Sequence, residues 1–219
     1  MVRRLVLKLF GYFRSSAAFR VRIALNLKRL AYEQTFVNLR KNEQRAPEYL
    51  AKNPQGLVPL LDNGEAHLVQ SLAIIEYLDE IHPSPKLLPN GPEDRVRVRA
   101  LAQIIAADIH PLDNLRVLRY LAKPLGHDEK TVEAWFNHWI TLGFEAIEPM
   151  LRDKRTGEFC HGNAPGLADI CLVPQMFNAK RYPSLDLTPF PTIVRVFDNC
   201  MRLDAFKRAA PDHQPDFEK

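Results

Sequence analysis

The chain of 219 residues is long enough for one large domain or two small ones, and its 46% hydrophobic and 26% charged residues are typical of a soluble globular protein. The net charge of +4 comes from dispersed basic residues, which supports a nucleic-acid partner only weakly. The first residues resemble a strand rather than a signal peptide, and no span has the length of a transmembrane helix. Cys160, Cys171 and Cys200 are odd in number and lack metal or redox spacing, so we expect reduced thiols, no metal site and a cytoplasmic location.

The first part of the chain alternates between strand and helix patterns. A strand at about 5–12 leads into a helix at about 16–29, where Phe19, Ile23 and Leu27 recur at helical spacing. The elements expected after them are a strand at 32–38, a short helix at 47–52, a hairpin of strands at 57–61 and 66–69, and a helix at 72–81. The order β-α-β-α-β-β-α predicts an α/β domain, a small mixed sheet with helices on its faces.

Prolines and a glycine between residues 83 and 92 cannot continue a helix and predict a linker. We therefore expect a first domain at 1–83, a linker at 84–92 and an all-helical domain at 93–219. The helices predicted there run from Glu93 to Lys123 with a kink at Pro111, from Asp128 to Leu151, from Leu167 to Arg181 and from Pro191 to Arg202, before a short last helix capped by Asp204. The polar tail after Pro211 is expected to be loose.

The most informative residues lie where the first strand meets the first helix. Ser15 and Ser16 follow Arg14 and open a basic helix. A helix start offers unpaired N–H groups and the positive end of a dipole, which together favour an anion. The pattern therefore predicts a site for a thiolate, phosphate or carboxylate, and the Arg14 guanidinium stands where it could grip a carboxylate in bidentate fashion.

Three further positions allow both a structural and a ligand-binding interpretation. Val58-Pro59 lies in a strand-like run, so it either marks an exposed edge or is a cis bond that turns the Val58 backbone toward a ligand. Ser71 either only caps the helix that follows it or also binds a ligand carboxylate there. His110 and Asn114, one helical turn apart, either line a cleft or pack within the helix. The residues alone leave these alternatives open.

The remaining charged candidates have simpler interpretations. Arg20, Arg22, Arg116 and Arg181 fit solvated surface charges, the usual situation of arginine. Asp169 is expected at the third position of its helix, with its carboxylate reaching back to the helix start. We therefore assign Asp169 to folding and not to catalysis.

Taken together, these landmarks resemble the zeta class of glutathione transferases, the family that includes maleylacetoacetate isomerase and maleylpyruvate isomerase. The matching segments follow the family order across nearly the whole chain and are Tyr12-Phe13-Arg14-Ser15-Ser16, Arg20-Val21-Arg22-Ile23-Ala24-Leu25, Asn53-Pro54, Val58-Pro59, Gln70-Ser71-Leu72-Ala73-Ile74-Ile75-Glu76-Tyr77-Leu78, Asp108-Ile109-His110-Pro111, Ala168-Asp169, Val173-Pro174-Gln175 and Asp186-Leu187-Thr188-Pro189. The segment that carries the serines is specific to this class.

The resemblance implies the glutathione transferase fold, with a thioredoxin-like domain that binds glutathione, an all-helical domain that binds substrate, and assembly as a homodimer. It implies catalytic roles for Ser15, Ser16 and Arg14, with the Ser15 hydroxyl stabilising the glutathione thiolate. The residues implied to contact glutathione are Ser15, Ser16, Arg20, Gln44, Val58, Pro59, Gln70, Ser71, His110 and Asn114. Those implied to bind the carboxylates of the substrate are Arg14, Arg116 and Arg181.

The reaction implied by the resemblance is glutathione-dependent cis–trans isomerisation of an unsaturated diketo dicarboxylic acid. The first candidate substrate is maleylacetoacetate and the second is maleylpyruvate. Addition of the thiolate to the conjugated double bond leaves an enolate with a rotatable single bond, and expulsion of glutathione then gives the trans product. Conjugation of haloacids or other small electrophiles, and binding without catalysis, are the remaining alternatives.

The chain departs from the family pattern at three positions. Ala17 stands where many members have cysteine, so the serines must activate the thiol without it. His110 stands where some members have glutamine, and Gly166 replaces the usual serine or threonine at a helix start. Glycine at that position costs only about a few tenths of a kcal/mol, so we expect the helix to form.

Overall fold

The protein is described by a computed structural model that covers residues 6–218. It divides into two compact units, one that runs up to Lys86 and also takes in the chain from Leu203 onward, and one at Leu87–Arg202. The boundary after Lys86 lies inside the segment predicted as a linker. The terminal segment from Leu203, which the sequence assigned to the helical domain, groups with the first unit instead, because its contacts are with that unit.

The first unit is built on a four-stranded mixed sheet. Its strands are β1 (Leu7–Gly11), β2 (Tyr32–Phe36), β3 (Leu60–Asp62) and β4 (His67–Val69), in the order β2-β1-β3-β4. β1 pairs in parallel with β2 and antiparallel with β3, and β3 pairs antiparallel with β4. With α1 (Ser16–Leu27), α2 (Pro47–Leu50) and α3 (Ser71–Ile81), this confirms the predicted order of elements.

α1 packs against the sheet through small and apolar side chains. Phe19, Ile23 and Leu25 are almost completely buried along it. Ala18 approaches the end of β1 so closely that a Cβ atom on Gly11 would lie 3.3 Å from the Ala18 Cβ. The small size of these two residues therefore fixes where α1 begins relative to the end of β1.

The second unit is helical, as predicted, but its first helix is interrupted. In place of one helix from Glu93 to Lys123, the chain forms α4 (Pro92–Gln103), a π-helical turn (Ile104–Ile109), α5 (His110–Asp113) and α6 (Leu115–Ala122). The break lies at Asn114, whose backbone is extended. The helices that follow are α7 (Glu129–Leu151), α8 (Leu167–Ala179) and α9 (Pro191–Met201).

The terminal segment is ordered by hydrogen bonds, contrary to the loose tail expected after Pro211. α10 (Asp204–Lys207) begins after Leu203, so Asp204 is its first residue and not its cap. Gln214 is buried, and its side-chain amide donates to the carbonyl oxygens of Arg208 and Ala210, both at 2.8 Å. Over residues 6–218, no helix is both long enough and apolar enough to cross a membrane.

Candidate active site

The start of α1 presents the hydroxyl of Ser15 at a capped helix terminus. Ser15 has an extended backbone (φ −71°, ψ 113°), and its Oγ accepts a hydrogen bond from the Ala18 N–H at 3.1 Å. Within the described residues, the N–H groups of Ser16 and Ala17 donate to no other main-chain group. Two N–H groups and the hydroxyl proton of Ser15 therefore remain available to an anion at this end of the helix dipole.

Arg14 and Ser16 flank this hydroxyl. Ser16 is buried and Arg14 is half-buried, so part of Arg14 is shielded from solvent. Its charge acts on the buried phenol of Tyr12, together with that of Arg40, although burial is the larger influence and raises the pKa of Tyr12. The predicted anion site thus has a guanidinium next to it in the chain.

The Val58-Pro59 bond is cis, the geometry expected in one of the two interpretations left open by the sequence. Both residues are buried, and the N–H and C=O groups of Val58 make no main-chain hydrogen bond within residues 6–218. The preceding carbonyl of Leu57 is held by the Tyr49 hydroxyl at 2.6 Å and the Asn53 side-chain amide at 2.7 Å. The backbone of Val58 is therefore fixed while its own polar groups stay available for an extended peptide.

The start of α3 differs from the predicted arrangement by one residue. Gln70 occupies the cap position with φ 70°, a conformation that costs a non-glycine residue on the order of 1–3 kcal/mol and is frequent at functional sites. Ser71 is the first helical residue and buried, so the prediction that it caps the helix was wrong. Its Oγ instead accepts a hydrogen bond from Arg20 Nη1 at 3.3 Å.

Arg20 is buried, contrary to the surface position expected from composition. Its bond to Ser71 joins the two helices whose starts carry the candidate residues. The Gln70 side chain donates to Gln55 Oε1 at 2.8 Å, a partner that the sequence analysis did not single out. Gln44 lies on a 3-10 turn and is half-buried, and its side-chain oxygen has no hydrogen-bond partner within the described residues.

The second unit carries the other four candidates. Asn114 caps α6 and accepts from the N–H groups of Arg116 at 3.0 Å and Val117 at 3.2 Å. Arg116 and Arg181 are exposed, and the Arg181 guanidinium donates to the Asn178 side chain at 3.1 Å. The exposure of these two arginines leaves their charge accessible to a dicarboxylate.

His110 belongs to a polar group that the sequence analysis missed. It is half-buried, and its Nδ1 lies 3.8 Å from Oδ1 of the buried Asp113. The completely buried Gln175 donates to the other oxygen of Asp113 at 2.7 Å. The contact between Gln175 and Asp113 joins segments 62 residues apart, so the sequence could not reveal it. The only signal available was the presence of Asp and Gln in otherwise apolar helices.

The cysteines lie in the interior of the protein. All three are buried, and burial raises the pKa of the Cys160 and Cys200 thiols, an effect that the nearby Asp169 carboxyl reinforces. The Asp169 carboxylate accepts from the N–H groups of Cys160 at 2.8 Å and Gly166 at 2.9 Å, in agreement with its predicted role at the start of α8. The thiols of Cys160 and Cys200 are therefore protonated at neutral pH and unsuited to act as nucleophiles.

Known proteins are similar to this chain over nearly its full length. Residues 5–80 match the glutathione S-transferase N-terminal domain. The chain is 50% identical to a probable maleylacetoacetate isomerase of Vibrio cholerae over 95% of this chain and 97% of the relative. It is 49% identical to a maleylpyruvate isomerase of a Ralstonia species over 96% of this chain and 99% of the relative.

Two solved structures have the same fold over nearly their whole length. One is the holo structure of maleylpyruvate isomerase, a bacterial zeta-class glutathione S-transferase, with a TM-score of 0.94, 49% identity and coverage of 96% of this chain and 100% of the other. The second is maleylacetoacetate isomerase from Methylobacterium extorquens with bound malonate and glutathione, with a TM-score of 0.93, 40% identity and coverage of 97% and 100%. The chain belongs to the zeta class of glutathione transferases, the family of the maleylacetoacetate and maleylpyruvate isomerases.

Proposed function

We propose that this protein is a glutathione-dependent cis–trans isomerase that converts maleylacetoacetate, an unsaturated diketo dicarboxylic acid, to fumarylacetoacetate. The observation that carries the proposal is the start of α1, where the Ser15 hydroxyl lies beside Arg14 and two N–H groups have no main-chain partner among residues 6–218. Support comes from the isomerases to which the chain is similar over nearly its full length, and from the glutathione bound in one of the solved structures.

The polar groups of the first unit fit a bound tripeptide with a thiol. The N–H and C=O groups of Val58, which have no main-chain partner in the described part of the chain, suit the backbone of the cysteinyl residue of glutathione. The start of α3, at Gln70 and Ser71, suits the charged γ-glutamyl end, because a helix start and a buried hydroxyl both favour a carboxylate. The unpartnered side-chain oxygen of Gln44 is a further acceptor, and Arg20 holds the Ser71 hydroxyl in place.

The chain's own residues then act on a thiol that would otherwise be mostly protonated. A free thiol has a pKa of about 8.5, and a hydrogen bond to the charged form lowers that value. The Ser15 hydroxyl would donate to the sulfur and keep its own proton, while the N–H groups of Ser16 and Ala17 add the positive end of the α1 dipole. Bound glutathione would supply the thiolate that adds to the conjugated double bond and leaves again after rotation.

Guanidinium groups are the proposed ligands of the two substrate carboxylates. Arg14, Arg116 and Arg181 are the assigned residues, since a guanidinium can bind a carboxylate through two parallel hydrogen bonds. Charge that develops on the substrate in the transition state would be stabilised by the same groups. His110 and Asn114 are proposed to contact glutathione as well.

Maleylpyruvate is the second candidate substrate. The observation in its favour is the 49% identity to a maleylpyruvate isomerase over nearly the whole chain. Both compounds have a cis double bond and two carboxylates, so the same residues can bind either. Assay of the purified protein with each compound measures kcat/KM directly, and glutathione consumption separates isomerisation, which regenerates it, from conjugation of haloacids, which depletes it.

Substitution of Ser15 tests the proposed mechanism. We expect Ser15→Ala to lower kcat about 100-fold or more, because the loss of one donor to a developing charge has a cost of this size. Ser15→Asp retains a helix-capping oxygen but has no proton to donate at neutral pH, so it should be equally inactive yet stable, whereas Ser15→Thr retains the hydroxyl and should keep substantial activity. Full turnover by Ser15→Ala with glutathione still bound would refute the mechanism.

We further propose a cytoplasmic homodimer in which the first unit binds glutathione and the second binds substrate. Large apolar side chains exposed on the second unit, Val96 at 64% and Tyr120 at 59%, support burial against another copy. Sedimentation equilibrium of the purified chain tests the dimer, and cell fractionation tests the location.

A further inference from the structure

Side chains from other parts of the chain form hydrogen bonds with the main chain of Tyr12 and Phe13, the two residues before Arg14. The Tyr12 carbonyl accepts hydrogen bonds from the Ser15 N–H at 3.0 Å and from Arg22 Nη1 at 3.4 Å. The Phe13 carbonyl accepts from Arg22 Nη2 at 3.0 Å, and the Phe13 N–H donates to Asp216 Oδ2 at 3.0 Å. The turn at residues 12–15, which presents Ser15, is therefore bound by Arg22 of α1 and by Asp216 near the end of the chain.

Arg22 connects this turn to the terminal segment. Its side chain is 1% exposed, and its Nε donates to the Ala209 carbonyl at 2.9 Å while both terminal nitrogens bind the turn. Burial lowers the pKa of Arg22 to about 10, so the guanidinium stays charged at neutral pH. Three of its hydrogen bonds thus fix the carbonyl groups of two separate segments relative to α1.

Asp216 belongs to a segment at residues 214–218, here called the terminal strap. Gln214 anchors one end of the strap through its bonds to Arg208 and Ala210. The Phe217 ring meets the Phe13 ring edge-on, with centroids 5.5 Å apart. Oε2 of Glu218 lies 3.3 Å from Nη1 of Arg40. The strap therefore contacts the turn through both the main chain and the side chain of Phe13.

From these contacts we infer that Asp216 is a positioning residue for the thiolate site. Its carboxylate fixes the Phe13 peptide, and through it the orientation of Ser15 and Arg14, although Asp216 lies 203 residues away in the chain. The inference rests on the proposed function. Displacement of a catalytic group by about 1 Å costs up to about 100-fold in rate, so a hydrogen bond that holds this turn bears directly on catalysis.

The test compares Asp216→Ala with Asp216→Asn and with Asp212→Ala as a matched control. Asp212 lies in the same terminal segment, is exposed and faces only His213 within the described residues. Asp216→Asn keeps an oxygen that can accept from the Phe13 N–H. The first measurement is amide hydrogen exchange by NMR in the protein without ligand, and the second is the pKa of the bound glutathione thiol, from its ultraviolet thiolate absorbance.

We expect Asp216→Ala to speed exchange at the Phe13, Ser15 and Ala18 amides at least about tenfold. It should also raise the pKa of the bound thiol by about one unit and lower kcat/KM about tenfold or more. Asp216→Asn should largely restore the exchange rates, the thiol pKa and kcat/KM, and Asp212→Ala should match the wild type. Exchange changes confined to residues 214–218, with an unchanged thiol pKa, would overturn the inference.

These readouts separate failure of the inference from failure of the proposed function. If the wild-type protein binds no glutathione, the proposed function is wrong, and the exchange rates of Ser15 and Ala18 still decide whether Asp216 orders the turn. If the wild type binds glutathione and lowers its thiol pKa but Asp216→Ala does the same, only the inference is wrong.

Discussion

Tyr49 illustrates how a buried polar group supports the site without contacting a ligand. Its side chain is 5% exposed, and its hydroxyl donates to the Leu57 carbonyl next to Val58. Burial raises the pKa of Tyr49 to about 12, against a value of about 10 in the unfolded chain. The folded protein therefore keeps this proton over a pH range in which the unfolded chain loses it.

The shift predicts a specific loss of stability at alkaline pH. Because the folded-state pKa is the higher one, the contribution of Tyr49 is complete below about pH 10 and is lost as the pH rises toward about 12. A shift of this size corresponds to about 2–3 kcal/mol. Urea unfolding across this range should show the stability advantage of the wild type over Tyr49→Phe shrinking steadily. Tyr120→Phe, at an exposed tyrosine, should follow the wild type, and an equal pH dependence in Tyr49→Phe would contradict the prediction.

At the residue scale, local signals were readable from the sequence and distant partners were not. The serines between the first strand and the first helix predicted where α1 starts, and Ser15 caps that start through a bond to a residue three positions away. The Ser71 prediction was wrong by one residue, because the positive φ of Gln70 has no signature in the side chain. Burial of Arg20 and Arg22 was missed as well, because it depends on acceptors far away in the chain.

Asn114 determines where α5 ends and α6 begins. Its side chain accepts from two N–H groups of α6 and donates to the Pro111 carbonyl at 3.1 Å. The prediction of one long helix was wrong here. Apolar residues continue at helical spacing through the segment, so the sequence pattern gives no sign of the break at Asn114. Tertiary packing of Ile109 against Gly143 of α7, where a Cβ atom would clash with Ile109, also contributes a contact that no sequence period reveals.

The two functions assigned to Asn114 can be separated by substitution. Asn114→Ala should lower the free energy of unfolding by about 1 kcal/mol, the usual cost of losing a cap, and should also raise the KM for glutathione. Asn114→Asp keeps a capping oxygen, so it should retain stability while the added negative charge weakens glutathione binding. Urea unfolding and initial-rate kinetics check the pair. Full glutathione affinity in both variants would exclude a ligand contact at this position.

Lys28, at the end of α1, forms hydrogen bonds with residues at and just after the end of α3. Its side chain is completely buried, and its ammonium contacts Asp79 Oδ1 at 2.5 Å and the His82 and Pro85 carbonyls, each at 2.6 Å. All three ammonium donors are therefore used, which makes burial of the charge tolerable.

Removal of this ammonium should be costly. We expect Lys28→Met to lower the free energy of unfolding by about 3–5 kcal/mol, because the Asp79 carboxylate would lose its buried partner. Lys8→Met, which removes an exposed pair with Glu33, should cost less than about 1 kcal/mol. Denaturant unfolding measures both, and equal effects would show that burial of the Lys28 pair does not matter.

For the molecule as a whole, the boundary between the two compact units lies within the predicted linker, whereas the course of the chain's end was not predictable. Prolines and a change of periodicity marked the boundary near residue 86, since both are local properties. The return of the chain from Leu203 to the first unit depends on contacts such as Asn26 Nδ2 to the Ala205 carbonyl at 2.9 Å. Such pairs have no common sequence pattern, so the tail could only be described as polar.

Glutathione should stabilise the first unit as one cooperative body. Its proposed contacts at Ser15, Val58 and Gln70 lie on separate segments of that unit, so a ligand that bridges them opposes unfolding of all three. Free ligand at about 100 times Kd should add about 2.7 kcal/mol and raise Tm. S-methylglutathione cannot form a thiolate, so Ser15→Ala should reduce the Tm gain from glutathione more than the gain from the methylated compound. An equal reduction for both ligands would show that Ser15 contributes to binding in general and not to ionisation of the thiol.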